Sequence, residues 1–516
     1  MSADLFVGVD IGTQGVKAGI YDERGACHGE AFRRSDLKHP APGAVEEDPE
    51  QQLRSACECI AECVARAEGR GVVRAVAIDG QMAGIIGVGD DGRNVTPYDS
   101  WLDTRCSPWI TRMKETAGER VVKMTGGPPS FNHGPKILWW KNERPETFRR
   151  VRSWVQPGGY AAMRLCGLDG GRAFVDRSYL HFSGFADSEA GAWDAGLCST
   201  FGVDPATLPR IVAPSDVVGV VTAEMAAVCG LAAGTPVVAG CGDTAASFLS
   251  CGATRPGICV DVAGTASVFA ATTRDYRPDE KAMILSCGRS ATPGLWHPYA
   301  YVNGGGMNLE WFKDTVAAQL AAAAGTTRAQ DAQSAGPDLV RLGELAAAVA
   351  PAEDDPYFVP HLGGRVSPSQ PLLRGAWTGL TWAHGPGHLY RAILEGVALE
   401  YGIYLRTVES LFGKGTVSEL RVTGGGEKSA LWNQIKADTL GVRIVQVQGS
   451  GGAPLGAAML AGHGAGFLAD LDATAKEWIR TGSVTEPDPR RAAVCGKRLE
   501  RYASLLGALN AWAEDN

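Results

Sequence analysis

Leu5-Phe6-Val7-Gly8-Val9-Asp10-Ile11-Gly12-Thr13 is a short apolar strand ending on a carboxylate and a glycine-threonine turn, and Cys259-Val260-Asp261-Val262-Ala263-Gly264-Thr265 answers it in the second half. In the first copy Ile11-Gly12-Thr13-Gln14-Gly15 turns the chain into a second strand, Val16 to Asp22. Asp22-Glu23-Arg24-Gly25 then turns it into a third, Ala26 to Phe32. In the second copy Ala266 to Thr273 is again a β-rich return strand. Each meander is followed by alternating helices and strands. The first half continues with a helix over Glu50–Glu68 and a strand over Val72–Ile78. The second continues with a helix over Leu389–Phe412, a strand Leu420–Thr423 ending in Gly424-Gly425-Gly426, a helix Ala430–Leu440, a strand Val442–Val447 and a helix from Pro454 to Ala461. At 516 residues the chain is too long for one core, and 1–250 and 251–516 are its natural division. The duplication predicts two facing α/β domains with a nucleotide in the cleft between them. Turns of this composition wrap phosphate oxygens through main-chain N–H groups, with the Thr13 hydroxyl and Lys17 as side-chain help. An ordinary glycine hairpin is the plainer reading of either turn alone. No GxxxxGK[ST] loop is present.

A second decisive stretch is Gly240-Cys241-Gly242-Asp243-Thr244-Ala245-Ala246. It follows the buried-strand pattern Thr235-Pro236-Val237-Val238-Ala239 and precedes a small-residue helix. A strand, a glycine break and a helix start place Asp243 in the open at a strand's carboxyl end. A carboxylate there accepts a proton from an alcohol or helps hold a metal ion, and the plainer reading is an N-cap.

Other polar groups fall at strand ends. Val72–Ile78 closes on Asp79-Gly80-Gln81-Met82-Ala83-Gly84, and Ile85–Val88 with the run to Trp101 suggests a hairpin leading to Trp101-Leu102-Asp103-Thr104-Arg105. Gln81, Asp103 and Arg105 are suited to hydrogen-bonding a polyhydroxylated ligand. The region Phe131 to Glu143 holds Lys136 and Trp139-Trp140 and opens a helix.

Composition excludes several classes. The net charge of −8 leaves no excess of Lys and Arg for a general nucleic-acid binder. No apolar run reaches the roughly 18 residues of a membrane helix, and Met1-Ser2-Ala3-Asp4-Leu5 lacks the basic start and apolar core of a signal peptide. A cytoplasmic protein is expected. The thirteen cysteines cluster only at Cys57, Cys59 and Cys63, without CxxC pairs or histidines, and read as idle or buried thiols. Any metal is expected to be bound by oxygen.

The chain resembles the FGGY carbohydrate kinases, of the superfamily that includes actin, hexokinase and the heat-shock chaperone ATPases. The resemblance is strongest at Gly375-Ala376-Trp377-Thr378-Gly379-Leu380, then seven residues, then His388-Leu389-Tyr390-Arg391-Ala392-Ile393-Leu394-Glu395, which fits the family's C-terminal signature. Lys136-Ile137-Leu138-Trp139-Trp140-Lys141-Asn142-Glu143 fits the N-terminal signature loosely, with Trp140 where a smaller apolar residue is usual. The resemblance implies two facing ribonuclease H-like domains of the actin/hexokinase type with an interdomain cleft. The N-terminal domain would bind sugar, and the C-terminal one nucleotide. It implies ATP as phosphoryl donor, Mg²⁺ held largely through water near Asp10 and Asp243, and Asp243 as catalytic base. Asp10, Gly12, Thr13, Gln14 and Lys17 would form the first phosphate turn and Gly264-Thr265 the second. Gly424, Gly425, Gly426 and Asn433 would bind adenosine. Gln81, Met82, Trp101, Asp103, Arg105, Asn132, Asp243 and Thr244 would meet the sugar.

Within the family the closest pattern is the xylulokinase group, with two departures. Ala83 replaces a histidine common after Gln-Met, and Thr244 replaces an asparagine common after the catalytic aspartate. The expected reaction is phosphorylation of a primary hydroxyl of a xylulose-like ketopentose. Ribulose, a hexulose, glycerol or a tetritol is the alternative acceptor. A non-catalytic nucleotide or sugar sensor and a partner-coupled ATPase are the competing classes, and the retained Asp10, Asp243 and both turns argue against the sensor. The expected partners are the sugar, ATP and ADP, with no nucleic acid or membrane, and a homodimer is the candidate assembly.

Overall fold

The computed structural model describes residues 3–319, 338–449 and 451–515; Met1 and Ser2 of the N-terminal stretch lie outside them. The first half is built from β1 (Ala3–Ile11), β2 (Gly15–Asp22), β3 (Cys27–Arg34), α1 (Pro49–Arg66), β4 (Gly71–Gly80), α2 (His133–Glu143), α3 (Pro157–Cys166), β5 (Val217–Val220), β6 (Pro236–Val238) and α4 (Asp243–Ser250). The second is built from β7 (Ile258–Ala263), β8 (Ser267–Ala271), β9 (Ser286–Arg289), β10 (Trp296–Val302), α5 (Pro386–Phe412), β11 (Glu419–Gly424), α6 (Ala430–Leu440), β12 (Arg443–Gln448), α7 (Ala453–Gly464) and β13 (Arg480–Thr485).

The two sheets repeat one plan. The first runs β5-β6-β4-β1-β2-β3 and the second β9-β10-β8-β7-β11-β12-β13. In each, an antiparallel three-stranded meander is extended by two parallel strands and closed by an antiparallel edge; β9 is an extra strand on the second. This is the two-domain α/β architecture of the actin/hexokinase type. Strands β1 and β7 sit mid-sheet, buried on both faces, which explains their unbroken apolar runs.

The halves are joined by an exchange of helices. Helix α7 follows β12 in sequence yet packs on β1 and β4 of the first sheet and against α4. Glycines permit the approach: a Cβ on Gly8 would fall 1.8 Å from the Pro454 carbonyl oxygen, and one on Gly456 would fall 2.1 Å from that of Ala246. A shared core results, in which Phe6, Ala75 and Val238 meet Val260, Val447 and Trp478.

One expectation is borne out in part and one is corrected. Ile86–Val88 meets the run that follows it only at isolated antiparallel bridges, Val88 with Asn94 and the neighbouring Ile85 with Asp99. It pairs antiparallel with Ser153–Val155, while Tyr98–Asp99 pairs with Glu46–Glu47. The chain turns at Gly89–Arg93 (N···O 2.9 Å) and the N–H groups of Ile85 and Asp99 exchange bonds across the return (3.2 and 3.0 Å), while Pro97, which has no N–H, interrupts a continuous ladder. The two Asp-Gly-Thr turns are also not equivalent. Asp10 stands two residues before Gly12 and Asp261 three before Gly264. Side chains alternate faces along a strand, so this offset turns the two carboxylates to opposite sides. Asp261 is buried in the core of the second domain, paired with Lys436 and accepting the Tyr401 hydroxyl at 2.6 Å.

Candidate active site

Where β6 ends, Gly240 takes a φ of +74°, and a Cβ there would lie 2.1 Å from the Ile78 carbonyl oxygen, so only glycine lets the loop leave the sheet. Gly242 caps α4 and Asp243 is its first residue, so Asp243 is not the N-cap. Its Oδ1 accepts the Thr244 N–H at 2.6 Å and the Thr244 hydroxyl at 3.1 Å. Asp243 is not in the open either. It is half-buried, and Met82 packs so tightly on the adjoining Gly242 that a Cβ there would meet its Cε at 2.6 Å. Burial, then the charge of Asp10, raises the Asp243 carboxyl from 3.8 to about 7.

Asp10 ends β1 opposite Asp79 of β4 in parallel register and opposite Lys17 of β2. Asp79 is fully buried, and Asp10 Oδ1 and both oxygens of Asp79 lack a hydrogen-bond donor. Burial, then the charges of Asp10 and Asp243, pushes Asp79 well above the usual carboxylate range. Burial raises Asp10 to about 6, against the opposing pull of Asp79 and Lys17. A proton kept on Asp79 supplies Asp10 with the donor it lacks. Lys17 itself leans toward Glu30, 3.5 Å away. Asp79 is the residue that strand-by-strand reading missed; the available sign was a second acidic residue at the end of a parallel strand.

The first turn is tied to Gln81 and Trp101, two residues expected to meet the sugar. Gly12 N–H closes it on the Gly15 carbonyl at 3.1 Å, and Gln14 is exposed. Thr13 Oγ1 accepts from Trp101 Nε1 at 2.9 Å and donates to Gln81 Oε1 at 3.3 Å. Gln81 Nε2 donates to Glu47 Oε1 at 2.9 Å, and Glu47 Oε2 accepts from Gln52 at 3.1 Å. The Thr13 proton is thus committed to Gln81. Trp101 leaves 40% of its surface exposed, and Gln81 is buried.

Asp103 and Arg105 are engaged with protein. Arg105 reaches Glu46 (2.8 Å), Asp99 (2.9 Å) and Asp103 (2.8 Å), and its guanidinium lies over the Trp139 ring at 4.5 Å. Asp103 Oδ2 also accepts the Val45 N–H at 2.9 Å. Lys136 is buried and donates to the carbonyls of Ser100 (2.9 Å) and Asp103 (3.1 Å). Asn132 caps α2, buried, with its Oδ1 unpartnered, while neighbouring His133 contacts the Met82 carbonyl at 2.6 Å. The structure therefore gathers the segments expected to meet the sugar around one network, in which Arg105 and Lys136 hold the wall together.

In the second domain Gly264, Thr265, Gly425 and Gly426 line a cavity of about 790 Å³. Gly306, Met307, Lys428 and Ser429 line it too and were not anticipated; the run Gly304-Gly305-Gly306 is the mark of the first two, and the last two follow Gly424-Gly425-Gly426. The N–H groups of Gly306 and Met307 donate to the carbonyls of Gly264 (2.9 Å) and Thr265 (3.1 Å), docking a helix start on the turn. Gly424 and Asn433 do not line the cavity. Gly424 takes φ +87° as the strand leaves the sheet, and Asn433 Nδ2 donates to the Glu427 carbonyl at 2.8 Å, so both shape the turn between them.

The unpartnered Oδ1 of Asp10 is a hard oxygen donor of the kind that suits Mg²⁺. Among the described residues no three His, Cys, Asp or Glu side chains converge enough to enclose a metal. All thirteen cysteines are free thiols, and burial lifts Cys57 and Cys63 to about 12. Among the described residues no helix is long and apolar enough to cross a membrane.

Residues 5–250 match the model of the N-terminal domain of the FGGY family of carbohydrate kinases, and 259–465 match its C-terminal domain. The chain is 25% identical to the xylulose kinase of Bacillus subtilis (strain 168) over 505 residues, covering 97% of this chain and 95% of that one. It is 26% identical to the gluconokinase of the same organism over 473 residues, covering 90% and 89%. The crystal structure of xylulose kinase from Rhodospirillum rubrum superposes with a TM-score of 0.87 at 27% identity, over 99% of this chain and 100% of that one. With both domain models matched in order over a cleft of this construction, the chain belongs to the FGGY family of carbohydrate kinases and is an ATP-dependent sugar kinase.

Proposed function

We propose that this kinase transfers the γ-phosphoryl group of ATP to a primary hydroxyl of a neutral, xylulose-like ketopentose, in the cytoplasm where ATP is supplied. The observation that carries the reading is Asp243. It sits at the first turn of α4, raised to about 7 beside Asp10, poised between the sugar-facing segments and the first phosphate turn.

Phosphoryl transfer asks mainly for positioning and charge neutralisation. Asp243 accepts the hydroxyl proton as the oxygen attacks phosphorus. The Gly12-Thr13 and Gly264-Thr265 turns hold phosphate oxygens by main-chain N–H groups, and the 790 Å³ cavity takes the nucleoside. Trp101, with Gln81 and Thr13 behind it, orients the sugar against the first turn. Asp10 and Asp243 would hold Mg²⁺, largely through water, and the ion would supply neutralisation of the phosphate charge.

The matched relatives include both xylulose kinases and gluconokinases, so an aldonate is the competing acceptor. A carboxylated sugar needs a cation. The two cations brought to the sugar-facing network, Arg105 and Lys136, are both committed to protein acceptors, which favours the neutral ketose. The test is sugar-dependent ADP release over D-xylulose, D-ribulose, a hexulose, glycerol, a tetritol and D-gluconate. The highest kcat/KM is expected on a ketopentose, and a preference for gluconate overturns the assignment.

A further inference from the structure

Strands β4 and β6 run parallel and pair at Val76–Val237 and Ala77–Val238. The ladder then breaks, because Gly240 lifts the chain away before one isolated bridge returns at Gly80–Gly242. At that break two side chains stand in for ladder bonds. The single Tyr179 O–H is shared between the carbonyl oxygens of Gly80 (3.0 Å) and Cys241 (3.2 Å), one from each strand end. The Ser178 hydroxyl accepts the Gly242 N–H at 2.9 Å. Ser178 is itself held, since its N–H donates to Asp176 Oδ1 at 2.8 Å. All three residues are buried, and the Tyr179 ring packs among Met82, Val175 and Leu180.

Gly80 adjoins Asp79, and Gly242 adjoins Asp243. The same two hydroxyls therefore set the distance between the strand end that carries Asp79 and the loop that carries Asp243. Glycines flank the loop at 240 and 242, so the backbone has no stiffness of its own to hold that distance. We propose that Tyr179 and Ser178 are positioning residues that clasp the Asp243 loop to the end of β4 and keep the base aimed at the acceptor hydroxyl. This rests on the reading of Asp243 as the base. Neither residue was marked by the sequence, because both come from a short helical turn more than sixty residues before Asp243.

Displacing a reacting group by about 1 Å costs on the order of 100-fold in rate while leaving binding largely intact. The experiment compares Tyr179→Phe, Ser178→Ala, Ser178→Thr and Asp243→Asn in the full-length enzyme. It measures kcat per folded molecule, calibrated by ADP-binding stoichiometry, together with the dissociation constants of D-xylulose and ADP. Tyr179→Phe and Ser178→Ala are expected to lose about 10- to 100-fold in kcat with both dissociation constants within about threefold, and Ser178→Thr is expected to restore most of the rate. The clasp is overturned if Tyr179→Phe and Ser178→Ala turn over normally per folded molecule while Asp243→Asn is inactive, including the case where total activity falls only because less protein is folded. If Asp243→Asn itself keeps near-normal turnover, the base assignment fails and the clasp fails with it.

Discussion

Asp10 stands directly across the parallel ladder from Asp79, two carboxylates in register at the ends of adjacent strands, with no basic residue between them. Such a pair cannot carry two charges in a buried site, and the more enclosed member keeps its proton. Asp79→Asn is therefore expected to change stability by less than about 1 kcal/mol and turnover by only a few-fold, because the amide mimics a protonated acid. Asp79→Ala removes the donor to Asp10 and is expected to cost about 1–3 kcal/mol. Thermal unfolding at pH 8 and steady-state rates check both, and a severe loss in the asparagine variant would mean that Asp79 works as an anion.

Asp243→Asn keeps the size of the base but cannot take a proton. Turnover is expected to fall by about 10²–10⁴ with ATP and sugar binding within a few-fold. With the wild-type carboxyl near 7, kcat/KM should decline as pH falls through about 7, since the base must be ionised. Stability has the opposite sign. The folded state binds this proton more tightly than the unfolded chain, so the contribution is full below about 3.8 and is lost as pH rises through 7. Asp243→Asn should accordingly raise the melting temperature at pH 8 more than at pH 5, by an amount equivalent to roughly 1–3 kcal/mol.

Thr265 is exposed on the wall of the cavity proposed to take the nucleoside. Thr265→Val removes only the hydroxyl and should weaken ADP binding by roughly 1.5–3 kcal/mol while leaving sugar binding unchanged. Calorimetry with each ligand separately decides it; unaltered ADP affinity would show that the hydroxyl does not reach the phosphates.

Lys436 and Asp261 are both fully buried. Lys436→Met leaves Asp261 with the Tyr401 hydroxyl alone, and breaking a buried pair on one side costs about 3–5 kcal/mol. The variant should melt at a much lower temperature yet keep its kcat per folded molecule. A selective loss of kcat would give Asp261 a part in the chemistry.

Ala83 and Thr244 bear on acceptor range. Asp243 Oδ1 takes the Thr244 hydroxyl at 3.1 Å, so that group is turned toward the base. A site with fewer polar groups aimed at hydroxyls discriminates less among acceptors. Wild-type enzyme should act on more than one ketopentose or polyol, and Ala83→His with Thr244→Asn should narrow the range toward D-xylulose. The comparison is kcat/KM across the panel for both proteins, and a wild type already selective by several orders of magnitude would remove these residues from specificity.

The duplicated architecture was legible in the chain because apolar runs, glycine breaks and helical periods are local properties. The pattern of β1, the helix Ala430–Leu440 and the Gly-Thr turns lie where their composition puts them. Asp243 was legible too, as a carboxylate at a strand-to-helix junction. Its burial was not, because the Met82 side chain that covers its loop arrives from the bend after β4, far away in sequence.

What the amino-acid order determined by itself is the set of parts: two meanders, two glycine-threonine turns and one acidic loop. Which parts act together was decided only by tertiary packing. A one-residue offset sends Asp10 to the cleft and Asp261 into the core, where Lys436 meets it from a helix 175 residues away. Arg105 became a strut because Glu46, Asp99 and Asp103 converge on it through strand pairing, and Asp79 became part of the acidic cluster through register with Asp10. Charge, burial and hydrogen bonding depend on neighbours in space, and those neighbours exist only once the strands are paired and the helices exchanged between the halves.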